Sequence, residues 1–429
     1  MRVPMLLAVL SLPAFGQVNY QPFPIGERAS GMGGAFTALA DDEGGAWYNP
    51  GGPAFARGNS LSVSTSLYGA TFGSTQGLLG TTDTFSYSTI NLVPSTAGSL
   101  WHLGSSPFEG VPSKWVLALN VFTPSMFQLE QRTDTAGGVS NVYQSQSQRR
   151  LYAGPTLAYR VNHRVGIGLS LHGQLDTATR TLSVLERAPQ MMNQVNTFLG
   201  VTQAVDAQAI GLGFALGIRV QPIDGLWLGA SLRTPTIGLW GRGSVYEQGV
   251  YSAQAQNVSA AISQSRNFSG NLIIPTRLGL GAAWVFTNGW TVSADVSLHL
   301  PLTYQQVTFD DTHEVANEQL NAVVNASVGA ELVLKESYAL RAGLFTDLSP
   351  YPAPEPGGMG NGNDQATTFG ATLAFALLSE RTSTSVGLVG ALTSLRQLGY
   401  DFQNGTTTML AASGTQGRLY LLFSSSFNY

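Results

Sequence analysis

Residues 290–300 read WTVSADVSLHL. In an extended chain one face carries Trp290, Val292, Ala294, Val296, Leu298 and Leu300, and the other carries Thr291, Ser293, Asp295, Ser297 and His299. Successive strand side chains point to opposite faces, so this is a strand that is apolar on one side and polar on the other. The alternation recurs at 165–172, 226–233 and 338–344, and at the C-terminus, where Leu419, Leu421, Phe423, Phe427 and Tyr429 share a face. Such segments number about fourteen. In the first half they fall at 60–72, 84–104, 114–125, 148–161, 164–180, 206–221 and 225–240. In the second half they fall at 268–286, 290–308, 320–335, 338–348, 365–378, 382–395 and 417–429. Many exceed the roughly nine to eleven residues that a tilted strand needs to cross a bilayer.

The connections alternate in length. Short links at 162–163, 221–225, 287–289, 335–337 and 379–381 are interleaved with long ones at 126–147, 181–205, 241–267, 309–319, 349–364 and 396–416. Short turns on one side and long loops on the other describe an outer-membrane barrel, whose even strand count leaves both ends on the short-turn side. Sandwich strands average about five or six residues, which argues against a soluble all-β domain. Closure follows because lipid offers no partner to an unpaired N–H or C=O.

Composition supports this reading. Charged residues make up 11% of the 429, against about 25% in ordinary soluble domains. No apolar run after the N-terminus is long enough for a spanning helix. Residues 1–16 have the features of an export signal: Arg2, an apolar core over 5–12 and small residues at 14–16. The mature chain is expected to begin near Gln17. Cysteine is absent, so no disulfide framework exists, and a net charge of −4 gives no reason to expect nucleic-acid binding. Residues 187–204 have Met191, Met192, Val195, Phe198 and Leu199 at helical spacing, and residues 246–262 form a similar segment. The expected fold is therefore an all-β, fourteen-stranded antiparallel transmembrane β-barrel with short helices in its outer loops. The Pro/Gly-rich 351–362 is expected to be irregular.

Before the first strand, residues 26–55 read GERASGMGGAFTALADDEGGAWYNPGGPAF. No strand precedes the glycines and no lysine follows them, so neither a dinucleotide fingerprint nor a P-loop is present. Asp41, Asp42 and Glu43 are hard-cation ligands by type. Their ordinary role is a cap or an ion-pair cluster with Arg28, and no metal is expected.

This stretch resembles the N-terminal signature of the FadL/TodX-like long-chain fatty-acid and hydrocarbon transporters of the outer membrane. Gly26, Arg28, Ala29, Gly31, Met32, Gly33, Gly34, Ala35 and Phe36 fit its pattern, followed by Asp41, Asp42, Asn49 and Pro50. The resemblance continues through 154–172, 274–298 and the final strand. It departs at Gly51, Gly52 and Pro53, where the family usually has alanine after the proline. The resemblance implies that residues 17–57 fold inside the 58–429 barrel as a hatch, with Gly31, Met32, Gly33, Gly34, Asn49 and Pro50 as its motif. It also implies passive transport of hydrophobic molecules, released sideways through a wall gap at the third strand. That strand reads KWVLALNVFTPS (114–125), where Pro124 lacks a ladder donor. Asn120 and Pro124 are thus candidates for a lateral gate, although the same proline is equally compatible with a strand simply ending.

Phe36, Trp47, Tyr48 and Phe55 either line a ligand pocket or form the hatch's own apolar core. Inward arginines at 160, 219, 233, 277 and 341 need carboxylate partners, because an unpaired buried charge is costly. Any one of these, Arg160 among them, or Arg180 at the outer end of the fifth strand, is a candidate to hold a substrate carboxylate. Asp295 and His299 lie roughly 13 Å apart along one strand face and cannot pair catalytically. No metal-spaced histidines and no nucleophile elbow are present, so neither enzyme activity nor a cofactor is expected. The expected partners are a hydrophobic small-molecule ligand, membrane lipid or lipopolysaccharide, and the barrel assembly machinery acting on a monomer in a Gram-negative outer membrane. Two alternatives remain from sequence: a partner-binding scaffold barrel and a polar-solute porin.

Overall fold

The computed structural model describes residues 19–21, 23–77, 84–104, 113–134, 140–187, 197–253, 258–354, 364–401 and 408–429. The export signal expected over 1–16 lies outside them. The first six strands are β1 (Ser60–Gln76), β2 (Thr84–Leu103), β3 (Trp115–Asp134), β4 (Ser140–Arg160), β5 (Val165–Arg187) and β6 (Thr197–Ile223). Eight segments follow: β7 (Leu226–Arg233), β8 (Ile237–Ala253), β9 (Val258–Gly270), β10 (Arg277–Val285), β11 (Trp290–His299), β12 (Leu302–Phe309), β13 (Val315–Leu320) and β14 (Val323–Leu334). The last four are β15 (Tyr338–Asp347), β16 (Gln365–Leu378), β17 (Thr382–Asp401) and β18 (Thr408–Asn428).

Segments β7 to β14 run end to end in consecutive pairs, each pair serving as one wall strand. The wall is therefore a closed antiparallel barrel of fourteen strands. The β1–β18 ladder closes it, from Ser60↔Asn428 to Gln76↔Ser413. Three of the four joints, at 234–236, 271–276 and 300–301, contain Pro235, Pro275 or Pro301, which cannot donate to a ladder.

The alternation read from sequence sets the two faces. On β11, Trp290, Val292 and Val296 are exposed to the bilayer side, while Thr291, Ser293 and Asp295 are buried toward the lumen. The strands extend well past the apolar segments. Residues 140–147, 181–187, 197–205 and 241–253, all placed in loops from sequence, are strand. Beyond the bilayer both faces are polar, as in SNVYQSQSQ (140–148), so hydrophobic periodicity fades while the backbone pairing continues.

The helices expected in the outer loops are not found among the described residues. Residues 197–204 belong to β6, 246–253 to β8 and 258–262 to β9. The β6–β8 ladder from Thr197↔Ala253 to Leu212↔Ile237 satisfies the backbone there, leaving no driving force for a helix. Residues 188–196 and 254–257 of those two expectations, and 355–362 of the irregular 351–362, lie outside the described residues.

Residues 19–21 and 23–58 pack against the inward face of the wall and contain two short helices, α1 (Glu27–Gly31) and α2 (Gly45–Tyr48), and a 3-10 turn at Gly52–Phe55. Among the described residues, Ile25, Met32, Phe36, Leu39, Trp47 and Tyr48 of this segment share one buried cluster with Phe122, Tyr152 and Ala283 of the wall. We call this segment the hatch.

Candidate ligand passage

The hatch is compact because its aromatic residues close on its own backbone. Tyr48 Oη accepts the Ile25 N–H at 2.9 Å and donates to the Ile25 carbonyl at 3.1 Å. Phe36 packs edge-on against Tyr48, with ring centroids 5.9 Å apart. Asn49 Nδ2 donates to the carbonyls of Thr37 and Ile218, both at 2.9 Å, so one amide ties the hatch to itself and to β6. Gly33 has φ 65°, and a Cβ there would sit 2.8 Å from Leu344 N on β15. Only glycine permits both that backbone and that approach.

On one side the hatch is held by charge. Arg28 Nη2 lies 2.7 Å from Glu331 on β14, and Arg28 Nη1 lies 3.1 Å from Asp41. Arg341 on β15 bridges Glu331 at 2.7 Å and Glu27 at 3.3 Å. Ser383 on β17 also donates to Glu27. Arg219 on β6 lies 3.5 Å from Asp41. Asp295 Oδ2 on β11 accepts the N–H groups of Phe36 and Thr37 at 2.8 and 2.7 Å. Glu331 is only 5% exposed and serves two guanidinium groups, so its removal would leave Arg28 to Asp41 alone and Arg341 to Glu27 alone.

The acidic triplet is thus used structurally. Asp41 is ion-paired, and Asp42 Oδ1 accepts the Gly45 N–H at 2.8 Å. Burial pushes the Asp42 carboxyl well above the usual carboxylate range, reinforced by neighbouring Glu43 and Asp41. Burial pushes the Glu43 carboxyl up as well.

The opposite side is different. The β2–β3 ladder runs from Leu103↔Trp115 to Thr96↔Phe122 and stops there, while β3 continues on β4 and β2 continues on β1. Beyond Phe122, Pro124 has no N–H to offer, and the β3–β4 register shifts between Phe122 and Ser125. Phe122, Thr123, Pro124 and Ser125 are all buried in succession, which is incompatible with regular alternation and marks a bend in β3.

Trp47 of the hatch faces this bend. Its ring lies 5.4 Å from Phe122 and 5.2 Å from Tyr152. The Arg233 guanidinium stacks 3.8 Å over it and donates to its carbonyl at 2.8 Å. Asn120, with its amide turned to suit its neighbours, donates to the Glu43 carbonyl at 3.2 Å.

Of the aromatic candidates, Phe36 and Tyr48 are sealed in the hatch core, Trp47 sits at the wall interruption, and Phe55 packs against Trp227 at 5.1 Å beneath Arg219. Arg160 lies at the short-turn end of β4, opposite Gly166 on β5, and Arg180 lies fourteen residues farther along β5. That is roughly 46 Å of strand, so the two cannot serve one headgroup. Sequence reasoning missed Glu331 and the upper lumen pair Arg150–Asp176, joined at 2.8 Å with both side chains 2% exposed. A carboxylate among Asn, Ser and Gly on the inward face of β14, or among Thr and Ser on that of β11, is the signal that would have found Glu331 and the hatch-holding role of Asp295.

Farther toward the long loops, Ala178, Val205, Ala207, Phe268, Leu272 and Val307 form an apolar lining. Between hatch and wall, a small polar cavity bordered by Tyr48, Arg277, Asp295 and His299 has about 50 Å³ of room. That suits ordered water and is far below the ~300–1,000 Å³ of a ligand pocket.

Residues 25–356 match the family described as outer membrane protein transport protein (OMPP1/FadL/TodX). The chain belongs to this family. Membership places it in the outer membrane of Gram-negative cells. Among solved structures, a Pseudomonas aeruginosa FadL homologue aligns with TM-score 0.65 and 11% identity over 96% of this chain and 100% of its own. The P. putida toluene transporter TodX aligns with TM-score 0.65 and 16% identity over 95% and 99%. The Ralstonia pickettii toluene transporter TbuX gives TM-score 0.53 and 14% identity over 95% and 99%. At these identities the likeness is one of fold. No curated protein is significantly similar in sequence.

Proposed function

We propose that this FadL/TodX-family barrel is a passive importer of hydrophobic small molecules, long-chain fatty acids or compact hydrocarbons, across the outer membrane. The interruption of the β2–β3 ladder beside Trp47 carries the reading. Ligand enters over the apolar lining toward the long loops, halts on the hatch and leaves sideways past Asn120 and Pro124 into the bilayer. Structural relatives described as toluene transporters and as a monoaromatic hydrocarbon channel support an apolar cargo. The tight fit of hatch to wall argues against a polar-solute porin, because water-filled conduction requires an open lumen. Enzyme activity forms no part of this reading, in which the chain acts as a monomer. The outward Phe427 and Tyr429, with ring centroids 6.4 Å apart, suit recognition by the barrel assembly machinery.

The test is uptake of labelled fatty acid and labelled monoaromatic hydrocarbon by cells with and without the protein. Faster uptake of at least one is expected; equal rates for every apolar probe overturn the proposal. The scaffold reading draws on the long hairpins of β4, β5, β6 and β8, which offer a protein-binding surface. Recovery of a stoichiometric partner with unchanged uptake would favour it.

A further inference from the structure

The lipid-facing wall carries a concavity of about 710 Å³ at its short-turn half. Its floor is Ala230 on β7, the small outward residue opposite Ile218 on β6 and Leu280 on β10. Its rim includes Trp115 and Tyr159, whose rings meet at 4.5 Å. The volume lies within the ~300–1,000 Å³ range of clefts that bury a small ligand.

The groove is a seat rather than a pore. Behind it the β5–β6, β6–β7 and β7–β10 ladders are continuous, with Gly166↔Arg219, Ile218↔Ala230 and Leu280↔Ala230 among their pairs. The inward positions of the same patch are Gly168, Gly217, Gly229 and Gly281. Cβ atoms there would strike the hatch backbone or side chains at Asn49–Gly51 and Thr37–Ala38. The hatch therefore backs the wall where the groove lies, and no route crosses it.

Two cations lie beyond the groove at its short-turn end. Lys114 is exposed beside Trp115. Arg164, in the turn joining β4 to β5, reaches the Pro222 carbonyl and Asp224 at 3.2 Å each. That ion pair is solvent-exposed, with Asp224 91% accessible, so it holds Arg164 only weakly. Aromatic residues with cations just beyond them are the arrangement that suits an interface between acyl chains and phosphates.

We propose that this groove seats an anionic phospholipid of the periplasmic leaflet, with one acyl chain over Ala230 and its phosphate between Lys114 and Arg164. The proposal rests on the outer-membrane orientation, with short turns facing the periplasm, and not on the identity of the transported cargo.

The full chain would be reconstituted in phosphatidylglycerol nanodiscs, extracted into detergent, and examined by native mass spectrometry for retained lipid. The wild-type barrel is expected to keep one phosphatidylglycerol. Ala230→Leu fills the groove with a side chain that lipid tolerates, and is expected to lower retention at least fivefold. Heat-modifiable gel mobility confirms that the barrel is folded. The double change Lys114→Gln with Arg164→Gln is expected to lower phosphatidylglycerol retention at least threefold. Wild-type retention by the Ala230→Leu barrel overturns the seat. Wild-type retention by the double variant overturns the phosphate assignment.

Discussion

The hatch meets the wall in two contrasting ways. Toward β14 and β15 it is fixed by a network in which Arg28, Arg341, Glu331, Glu27 and Asp41 satisfy one another, with Asp295 holding two backbone N–H groups. Toward β2 and β3 it presents Trp47 and one amide contact from Asn120, where the wall's own ladder has already stopped. Charge networks in a low-dielectric lumen have one good geometry and are costly to break partially, whereas aromatic packing tolerates sliding. On the proposed function, the charged side would serve as the hinge of the hatch and the Trp47 side, held by Arg233 rather than by an ion-pair network, as its moving edge.

The largest expected effect comes from breaking the hinge. Glu331→Ala leaves Arg28 and Arg341 without their shared carboxylate, at a cost of about 3–5 kcal/mol. Planar-bilayer recordings are expected to show large, frequent openings where the wild-type barrel is nearly closed; silent recordings would mean that the network does not hold the hatch. Asp295→Ala strips the acceptor from Phe36 and Thr37, costing about 1–3 kcal/mol. Hydrogen exchange over residues 26–40 should accelerate while residues 45–55 change little. Uniform acceleration would erase the distinction between the two sides.

On the gap side the effects are smaller. Asn120→Ala removes one hydrogen bond, about 1 kcal/mol, and is expected to raise uptake of an apolar probe with no new ion conductance. A conductance increase matching that of Glu331→Ala would show that the two sides do not differ. The least effect concerns pH. Asp42 has its carboxyl pKa raised in the folded hatch, so its contribution is fully present below its unfolded value of about 3.9 and is lost as pH rises through the raised folded value. Protection of residues 41–48 from exchange should therefore be greater at pH 5 than at pH 8. Asp42→Asn should flatten that difference, because it keeps an acceptor for Gly45 without the charge; an unaltered pH dependence would point to another group.

Much of the wall was legible in the sequence. Alternation such as WTVSADVSLH on β11 records lipid on one face and lumen on the other, and the alternating link lengths reveal the up-and-down topology. The hairpin extensions were not legible, because strands such as 140–148 leave the bilayer and lose the apolar face that betrays a strand. The same loss explains the helices expected at 187–204 and 246–262, where scattered apolar residues sat at helical spacing while long-range pairing decided the backbone. At the site, Pro124 signalled the weakness in β3 because its missing N–H is a local property. The partners of Arg28 were less visible: Asp41 lies close in sequence, but Glu331 is three hundred residues away and nothing local joins them. Arg160 and Arg180 fit a headgroup by chemistry as alternatives, and only strand register shows how far apart along the β4–β5 ladder they lie.

The central claim is that the hatch edge beside the β2–β3 interruption must move for cargo to pass. The chain has no cysteine, so a single engineered disulfide can test it. A Cβ on Gly98 of β2 would lie 3.2 Å from the Glu43 Cβ, just under the ~3.5–4.5 Å of a disulfide, and would strike the Asn120 amide, which must turn aside, so the reduced double variant is the reference for uptake. In the Glu43→Cys, Gly98→Cys barrel, uptake of labelled apolar probe is predicted to fall at least tenfold under oxidation and to recover on reduction. Full uptake with the disulfide formed would contradict the account.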